Sequence, residues 1–274
     1  MSLKIRNTKD LIAPDSFRFV GLLYGLPGSG KTTWIGTCPA QETGIAACDL
    51  GNGNGLLTIA DKGIDAIEPE NLTELEKFCK GEVFPDKKIL VLDNLSTMAR
   101  TIVKDAALAI PINGSPTRKF GVPDMKDYGT IAEMIRKILV VLIQANPTKH
   151  IIVTAHEKYD RPNENDPPGS ESRIGPELSG QMFTAAPSMF DFVLRLRTRP
   201  VLKNPADAKS RFIQRYFQTQ QEVGLIAKAR AQAKDKAILD REVIFDLGNN
   251  EGTFPDLLKK ITDGYRLEGY SGKV

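Results

Sequence analysis

One stretch of the chain has the residue types and the spacing of a phosphate-binding loop (P-loop). Residues 25–32 read Gly-Leu-Pro-Gly-Ser-Gly-Lys-Thr and match the pattern G-x-x-x-x-G-K-[ST] without a mismatch. Glycine lets the backbone approach a ligand closely, so the loop amides would donate to phosphate oxygens. Lys31 would reach the β- and γ-phosphates of a nucleoside triphosphate, and the Thr32 hydroxyl would ligate Mg²⁺. The predicted nucleotide-binding residues are Gly25, Leu26, Pro27, Gly28, Ser29, Gly30, Lys31, Thr32 and Thr33.

An aliphatic run that ends in an acid predicts the second half of this site. Residues 88–93 read Lys-Ile-Leu-Val-Leu-Asp, and four successive aliphatic residues are typical of a strand buried on both faces of a parallel sheet. In P-loop proteins the carboxylate at the end of such a strand holds Mg²⁺ opposite the P-loop hydroxyl. The sequence therefore predicts ATP and Mg²⁺ as cofactors, Thr32 and Asp93 as the metal site, and Lys31 and Asp93 as catalytic residues.

A further buried strand, residues 150–156, ends in polar residues. Ligands bind at the carboxyl edge of a parallel sheet, so Thr154, His156 and Glu157 become candidate site residues. For His156 the alternative of a structural histidine with satisfied hydrogen bonds stays open.

The elements that must position these residues predict an α/β fold. An apolar segment, residues 19–24, precedes the P-loop, and a helix opens at Lys31, so strand, glycine loop and helix follow one another as the motif requires. Residues 44–49 predict another buried strand that ends in Asp49. Later segments predict two helices, a loop and several strands: a helix at 131–144 capped by Thr130 and Glu133, a loop at 158–180, strands at 190–197, 212–217, 224–228 and 243–247, and a helix at 254–261.

Composition narrows the class of protein. The chain has 274 residues, 41% hydrophobic and 26% charged, as expected for a soluble globular protein, and no apolar run is long enough to span a membrane. Residues 1–10 lack the apolar region of a secretory signal, so a cytoplasmic location is expected. Residues 195–236 hold eleven Lys or Arg and three Asp or Glu, net +8, whereas the whole chain carries +3. This basic segment in the C-terminal third of the chain is typical of nucleic-acid contact, with a solvated charged surface as the alternative.

The order of these parts resembles the RecA-type ATPase core. It is most similar to the small phage-encoded RecA-like ATPases of the Sak single-strand-annealing group. The resemblance rests on the P-loop, Val91-Leu92-Asp93-Asn94, Thr154-Ala155-His156-Glu157, a β-rich C-terminal section and Lys228-Ala229-Arg230. It implies a mainly parallel central sheet flanked by helices, with antiparallel C-terminal strands. It also implies one domain over residues 18–262, after a lead-in at 1–17 and before a tail at 263–274.

The resemblance also implies partners and roles. It implies Mg²⁺-dependent ATP hydrolysis coupled to single-stranded DNA in recombination or annealing, by a phage protein in the host cytoplasm. It implies a homo-oligomer, ring or filament, with ATP between subunits and no membrane partner. Lys228 and Arg230 match the basic pair that reaches a neighbour's γ-phosphate, and Thr154 or His156 matches the γ-phosphate sensor.

Two departures from the family pattern bear on function. The family's catalytic glutamate lies two residues after the acid that ends the second strand, and here that position is Gly51. Either Asp49 or Glu157 then positions the attacking water, or hydrolysis is weak. The loop that matches the family's second DNA-binding loop, residues 157–177, has net charge −3, so the better DNA candidate is Arg118-Lys119-Phe120 in the first loop.

Two alternative functions stay open at this point. The first is an ATP-gated assembly or helicase-loader module with weak hydrolysis, which Gly51 favours. The second is a small-molecule kinase with residues 157–180 as its lid, although only Arg161 and Arg173 lie there to cover phosphates.

Overall fold

The structure, a computed structural model, describes residues 17–48, 54–110, 122–162, 171–204, 207–233 and 236–267. Asp49, Gly51 and the segment Arg118-Lys119-Phe120 lie outside the described residues. The described strands are β1 (Val20–Gly25), β2 (Thr43–Ala47), β3 (Asp65–Ile67), β4 (Ile89–Asp93), β5 (His150–Asp160), β6 (Arg173–Pro176), β7 (Phe192–Leu202), β8 (Arg211–Gln218), β9 (Lys228–Ala229), β10 (Gln232–Ala233), β11 (Lys236–Ala237) and β12 (Glu242–Phe245). The described helices are α1 (Lys31–Ile35), α2 (Leu72–Cys79), α3 (Leu95–Met98), α4 (Lys104–Ala109), α5 (Met125–Gln144), α6 (Met182–Ser188) and α7 (Phe254–Leu267). None of these helices is long and apolar enough to cross a membrane.

A single large sheet organises the described chain. Its strand order is β12-β8-β7-β1-β5-β4-β2-β3, with β6 on β5 and β9 on β7. The strands from β7 to β3 in this order run parallel, whereas β8 pairs antiparallel with β7, and β12 with β8. The predicted architecture, a mainly parallel central sheet flanked by helices with antiparallel C-terminal strands, is confirmed.

Helices cover both faces of the sheet, and therefore three of its parallel strands are buried throughout. Every residue of β1, β2 and β4 is buried. Apolar side chains of α2, α3, α5 and α6 pack into a core on one face, and those of α1 and α7 pack into a second core on the other face. Two-sided burial explains why these strands read as continuous apolar runs in the sequence.

The second core fixes the helix that follows the P-loop. α1 is only five residues long, so its position depends on tertiary contacts rather than on helix propensity. The Trp34 ring lies edge-on to Phe217 of β8 at 5.7 Å and to Phe254 of α7 at 5.8 Å. Its Nε1 donates to the Gly252 carbonyl at 2.8 Å. α1 is thus held by both the antiparallel strands and the terminal helix.

β7 and β8 extend beyond the parallel sheet as a two-stranded ribbon. β7 pairs with β1 only from Phe192 to Arg195, and β1 ends at Gly25. Beyond Leu196, β7 continues to Leu202 with β8 as its partner, a further six residues or roughly 20 Å of strand. We call the part beyond Leu196, residues 197–204 and 207–216, the basic ribbon.

Several segments differ from the sequence prediction. The 158–180 loop is partly sheet, because β5 continues to Asp160 and pairs antiparallel with β6. α5 begins at Met125 rather than at residue 131, since Asp124 and Asp127 form its capping box. No strand covers residues 224–228 as a unit, and of that segment only Lys228 belongs to the two-residue β9. α7 continues to Leu267, beyond the predicted helix end at residue 261, and its Tyr265 is buried in the second core.

Candidate functional site: the P-loop and the sheet edge

The P-loop follows β1 and leads into α1, in a conformation that its glycines permit. Gly28 and Gly30 have φ angles of 76° and 104°, a region that side chains disfavour. Gly25 is required for another reason, because a Cβ there would lie 2.5 Å from the Leu196 carbonyl oxygen of β7. The three glycines of the motif therefore serve backbone conformation at two positions and close packing at the third.

Lys31 lies folded over the loop. Its Nζ donates to the carbonyl oxygens of Gly25 at 2.9 Å and Leu26 at 3.1 Å. Burial lowers the pKa of Lys31, and the nearby carboxylates of Asp93 and Glu157 oppose that shift. A buried ammonium at the mouth of a glycine loop is suited to an anionic ligand.

Asp93 meets hydroxyls from two other elements. Thr32 Oγ1 donates to Asp93 Oδ2 at 3.2 Å, and Thr154 Oγ1 donates to Asp93 Oδ1. The strand order explains the meeting, because β5 lies between β1 and β4 and brings Thr154 into the gap between the P-loop and the acid. Asp93 is 8% exposed and Thr154 fully buried, so the carboxylate is held in one orientation.

This set of donors fits a nucleotide with Mg²⁺. The Ser29 Oγ is buried and has no hydrogen-bond partner within the described part of the chain, so it is a polar group that a phosphate oxygen would satisfy. A Cβ built on Gly28 would meet no atom within 4 Å, which leaves this side of the loop open to a ligand. Hydroxyl and carboxylate oxygens, as on Thr32 and Asp93, are ligands that Mg²⁺ takes together with substrate phosphates.

His156 lies next to the P-loop. It is opposite Gly25 in the β1–β5 pairing, and its backbone amide donates to Ser96 Oγ at 3.0 Å. Its Nδ1 is buried and has no partner among the residues that the structure describes. Two effects lower the pKa of His156: burial, which is the larger, and the positive charge of Lys31. The ring is therefore neutral at pH 7.

Glu157 is held in an ion pair. Its two carboxylate oxygens accept from Arg195 Nε at 2.9 Å and Nη2 at 2.7 Å, a bidentate pair in which each side chain is 9% exposed. Arg195 also donates from Nη1 to Gln218 Oε1 at 3.0 Å. The predicted candidate therefore takes part in a link between β5, β7 and β8.

Lys228 and Arg230 lie away from the chain's own P-loop. Lys228 is paired with Val193 of β7, which is opposite Leu22 of β1. It therefore lies two strands across from β1 and, along the strand direction, about three residues or roughly 10 Å from the end of β1 at Gly25. Lys228 Nζ donates to the Ser188 carbonyl at 3.3 Å, and Arg230 forms an exposed ion pair with Asp191 at 3.0 Å. Burial lowers the pKa of Lys228, and the charge of Arg230 lowers it further.

The sequence pattern does not single out Arg215 and Arg195. Arg215 of β8 lies directly over Gly30: a Cβ there would be 2.7 Å from Arg215 Nε. The sequence indicates a role for these two arginines only through their place in the basic segment, residues 195–236. The contact itself depends on β8 lying beside α1, and no local pattern encodes that placement.

Comparison with known proteins agrees with this geometry. A family model described as an AAA domain matches residues 18–231, which include the P-loop, Asp93, Thr154 and the basic ribbon. A search of curated proteins found no match to the chain. AAA domains are ATPase domains of the P-loop type and generally use ATP with Mg²⁺. Because the match covers most of the chain, this protein belongs to the AAA domain family of P-loop ATPases.

Proposed function

We propose that this protein is a Mg²⁺-dependent ATPase of the RecA-like kind, similar to the Sak group, whose ATP hydrolysis is coupled to single-stranded DNA binding. The observation that carries the catalytic part is the meeting of Thr32, Asp93 and Thr154 at the P-loop. Three separate elements contribute oxygens to one point beside a buried lysine, as metal-assisted phosphoryl transfer requires.

Each residue at the loop would have a distinct part. The amides of residues 28–33 and Lys31 would bind the phosphates, while Thr32 and Asp93 would hold the metal ion. When bound, Mg²⁺ supplies charge neutralisation at the β- and γ-phosphate oxygens. Thr154 would keep Asp93 in place through its hydrogen bond.

For orienting the attacking water we propose His156. Glu157 already gives both oxygens to Arg195, whereas His156 has a neutral ring and a buried Nδ1 with no partner in the described chain. Such a nitrogen can accept a hydrogen bond from water without breaking one that it makes to the protein. Asp49, which lies outside the described residues, stays the other candidate.

The proposed DNA contact rests on the basic ribbon. Its residues include six Lys or Arg and one acid. Arg197, Lys203, Lys209 and Arg211 are exposed. Lys203 lies over the Phe212 ring at 5.8 Å, so a cation and an aromatic surface stand side by side. Phosphate neutralisation with aromatic stacking is how proteins hold single strands without sequence preference.

The proposed oligomer rests on the position of Lys228 and Arg230. Lys228 lies two strands across from β1 and, along the strand direction, roughly 10 Å from the end of β1 at the chain's own P-loop. These side chains therefore suit contact with the nucleotide of a neighbouring subunit. A cation supplied by a neighbour stabilises transition-state charge as an arginine finger does. A ring and a filament satisfy this requirement equally.

The metal site is tested by Asp93→Asn, with Asp105→Asn at an exposed position of α4 as its matched control. The amide keeps the size of the side chain but removes the charge, so steady-state ATP turnover should fall about tenfold or more. The control should retain native turnover, and excess EDTA should abolish turnover in both the native protein and the control. Native turnover by Asp93→Asn would contradict the assignment.

The DNA contact is tested by the salt dependence of binding. The Arg197→Gln/Arg211→Gln variant should bind single-stranded DNA more weakly than the native protein. The slope of log K against log salt should fall by about 0.7 for each phosphate that the variant no longer neutralises. Arg136→Gln on α5, an exposed arginine paired only with Glu133 in the described chain, is the control. An unchanged slope in the ribbon variant would exclude the ribbon as the DNA-binding surface.

A second candidate function is an ATP-gated assembly module. It is favoured by the bidentate Glu157–Arg195 pair together with Gly51 at the family's glutamate position. ATP-dependent assembly with no measurable turnover would support it over the ATPase.

A further inference from the structure

Arg215 is placed over the P-loop by the packing of β8. Along β8, alternate side chains share a face, so Arg215 lies on the same face as Phe217. Phe217 packs against Trp34 of α1 at 5.7 Å and against Phe245 of β12 at 5.9 Å. Arg215 lies two residues before Phe217 on β8, and its side chain covers Gly30, the residue directly before α1.

Gly30 provides the room for this contact. A Cβ at Gly30 would lie 2.7 Å from Arg215 Nε and 2.9 Å from Arg215 Cδ. The glycine that the P-loop motif requires therefore also admits a guanidinium against the loop backbone. Arg215 and Lys31 approach the loop from different elements, one from β8 and the other from α1.

One polar atom of Arg215 is not satisfied by the described chain. Its Nε is buried and has no hydrogen-bond acceptor there. β7 and β8 hold two other arginines whose side chains are partly covered, and both of these are paired. Arg195 binds Glu157 and Gln218, and Arg199 binds Glu242 and Gln214. A buried arginine nitrogen without a partner is costly, so an acceptor from a ligand is the physical explanation.

We propose that Arg215 is a phosphate-binding residue of the nucleotide site, contributed by the same chain that contributes the P-loop. A guanidinium is always charged and offers donors in a planar fork that matches phosphate oxygens. Arg215 contacts the loop that binds the triphosphate, and the residue it covers directly precedes Lys31. This inference rests on the proposed nucleotide site and adds to it a residue from the basic ribbon.

The placement of Arg215 differs from that of Lys228 and Arg230. Those residues would act on a neighbour's nucleotide, whereas Arg215 touches its own loop. Its contribution to ATP binding should therefore persist at protein concentrations at which the chain is monomeric.

The test compares nucleotide affinities of Arg215→Met and Arg215→Lys with those of Arg136→Met, an exposed arginine on α5. ATP and AMP are titrated against each protein by calorimetry, and the ratio of the two affinities is taken within one preparation. This ratio does not depend on the fraction of protein that is folded. Arg215→Met should lower the ATP-to-AMP affinity ratio about tenfold or more, because it cannot form a charged hydrogen bond to the added phosphates. Arg215→Lys should lie between Arg215→Met and native, and Arg136→Met should match native.

The result separates this inference from the proposed function. If native protein binds ATP, Lys31→Ala abolishes binding and Arg215→Met leaves the ratio unchanged, Arg215 is a packing residue and only this inference is overturned. The inference is also overturned if Arg215→Lys is as weak as Arg215→Met, since charge would then have no part. No ATP binding by the native protein would overturn both.

Discussion

At the scale of single residues, Glu157 and Arg195 form the most strongly buried ion pair beside the site. Their side chains are each 9% exposed, and two hydrogen bonds join them. Removing one partner leaves the other charge buried without compensation, whereas removing both leaves an apolar gap. Removal of one partner should therefore lower the stability of the protein more than removal of both.

Glu157→Ala should lower the free energy of unfolding by about 3 to 5 kcal/mol, because Arg195 then loses its counter-charge. Urea denaturation gives this value. The double variant Glu157→Leu/Arg195→Met should recover part of the loss. A loss below about 1 kcal/mol for Glu157→Ala would mean that the pair behaves like a surface ion pair.

His150 makes stability depend on pH. Burial, as the larger effect, and the positive charge of Arg18 together lower the pKa of His150 from 6.5 to about 4. The Nδ1 of His150 accepts a hydrogen bond from the Phe19 amide at 2.9 Å. Between pH 6.5 and 4 the unfolded chain binds the proton and the folded chain does not. Stability should therefore fall as pH drops through this window, by up to about 3 kcal/mol at its acid end.

The measurement is urea unfolding at pH 7, 6 and 5 for native protein and His150→Asn. The asparagine oxygen can accept from the Phe19 amide but does not titrate, so the variant should lose less stability on acidification. Equal losses in the two proteins would show that His150 does not carry the dependence.

Some residues of the site are predictable from the sequence and others are not. The P-loop, residues 25–33, is contiguous, so its spacing alone predicts the conformation that Gly28 and Gly30 adopt. Asp93 is predictable as the polar end of an apolar strand, and Thr154 as one of the polar residues that follow the apolar run at the start of β5. Two other contacts are not predictable, because no local pattern specifies which strands lie side by side. Arg215 over Gly30 depends on the pairing of β8 with β7. Arg195 on Glu157 depends on β7 and β5 lying on either side of β1.

At the scale of elements, the tight approach of β7 to the end of β1 holds the P-loop in place. A Cβ at Gly25 would lie 2.5 Å from the Leu196 carbonyl oxygen and 2.8 Å from Ser29 Oγ. The first of these atoms belongs to a strand backbone, which cannot move aside as a flexible side chain can.

Gly25→Ala should therefore shift β7 or the loop, lower the melting temperature and weaken ATP binding. Gly129→Ala is the matched control at an exposed position of α5, where a Cβ would meet nothing within 4 Å. That change should stabilise the protein by about 0.5 to 1 kcal/mol, since alanine favours helix over glycine. Thermal unfolding with and without ATP checks both, and a Gly25→Ala protein as stable as native would refute the packing account.

The sequence predicts some strands better than others. β1, β2 and β4 are buried on both faces, and their apolar runs predict them well. The second half of β7 is not apolar, because beyond Leu196 it leaves the covered sheet and pairs only with β8. β6 and β9 are short edge strands with few apolar residues, so the sequence predicts a loop at β6 and misplaces β9.

At the scale of the whole molecule, the proposed oligomer predicts that subunits complement one another. Arg230→Ala has an intact P-loop but lacks the cation, while Lys31→Ala has the cation but a defective P-loop. Mixing the two should give more ATP turnover than either protein alone, because a Lys31→Ala subunit can serve the nucleotide of an Arg230→Ala neighbour. Turnover of the mixture equal to the average of the two would mean that Arg230 does not act between subunits.

The proposed function is ATP hydrolysis at the P-loop at a rate that single-stranded DNA controls. The most direct measurement is ATP turnover with and without single-stranded DNA, for native protein and Lys31→Ala. We expect turnover in the native protein that rises with DNA and is absent from the variant, since Lys31 is the buried cation of the loop. Turnover that does not change with DNA, or that persists in Lys31→Ala, would contradict the account.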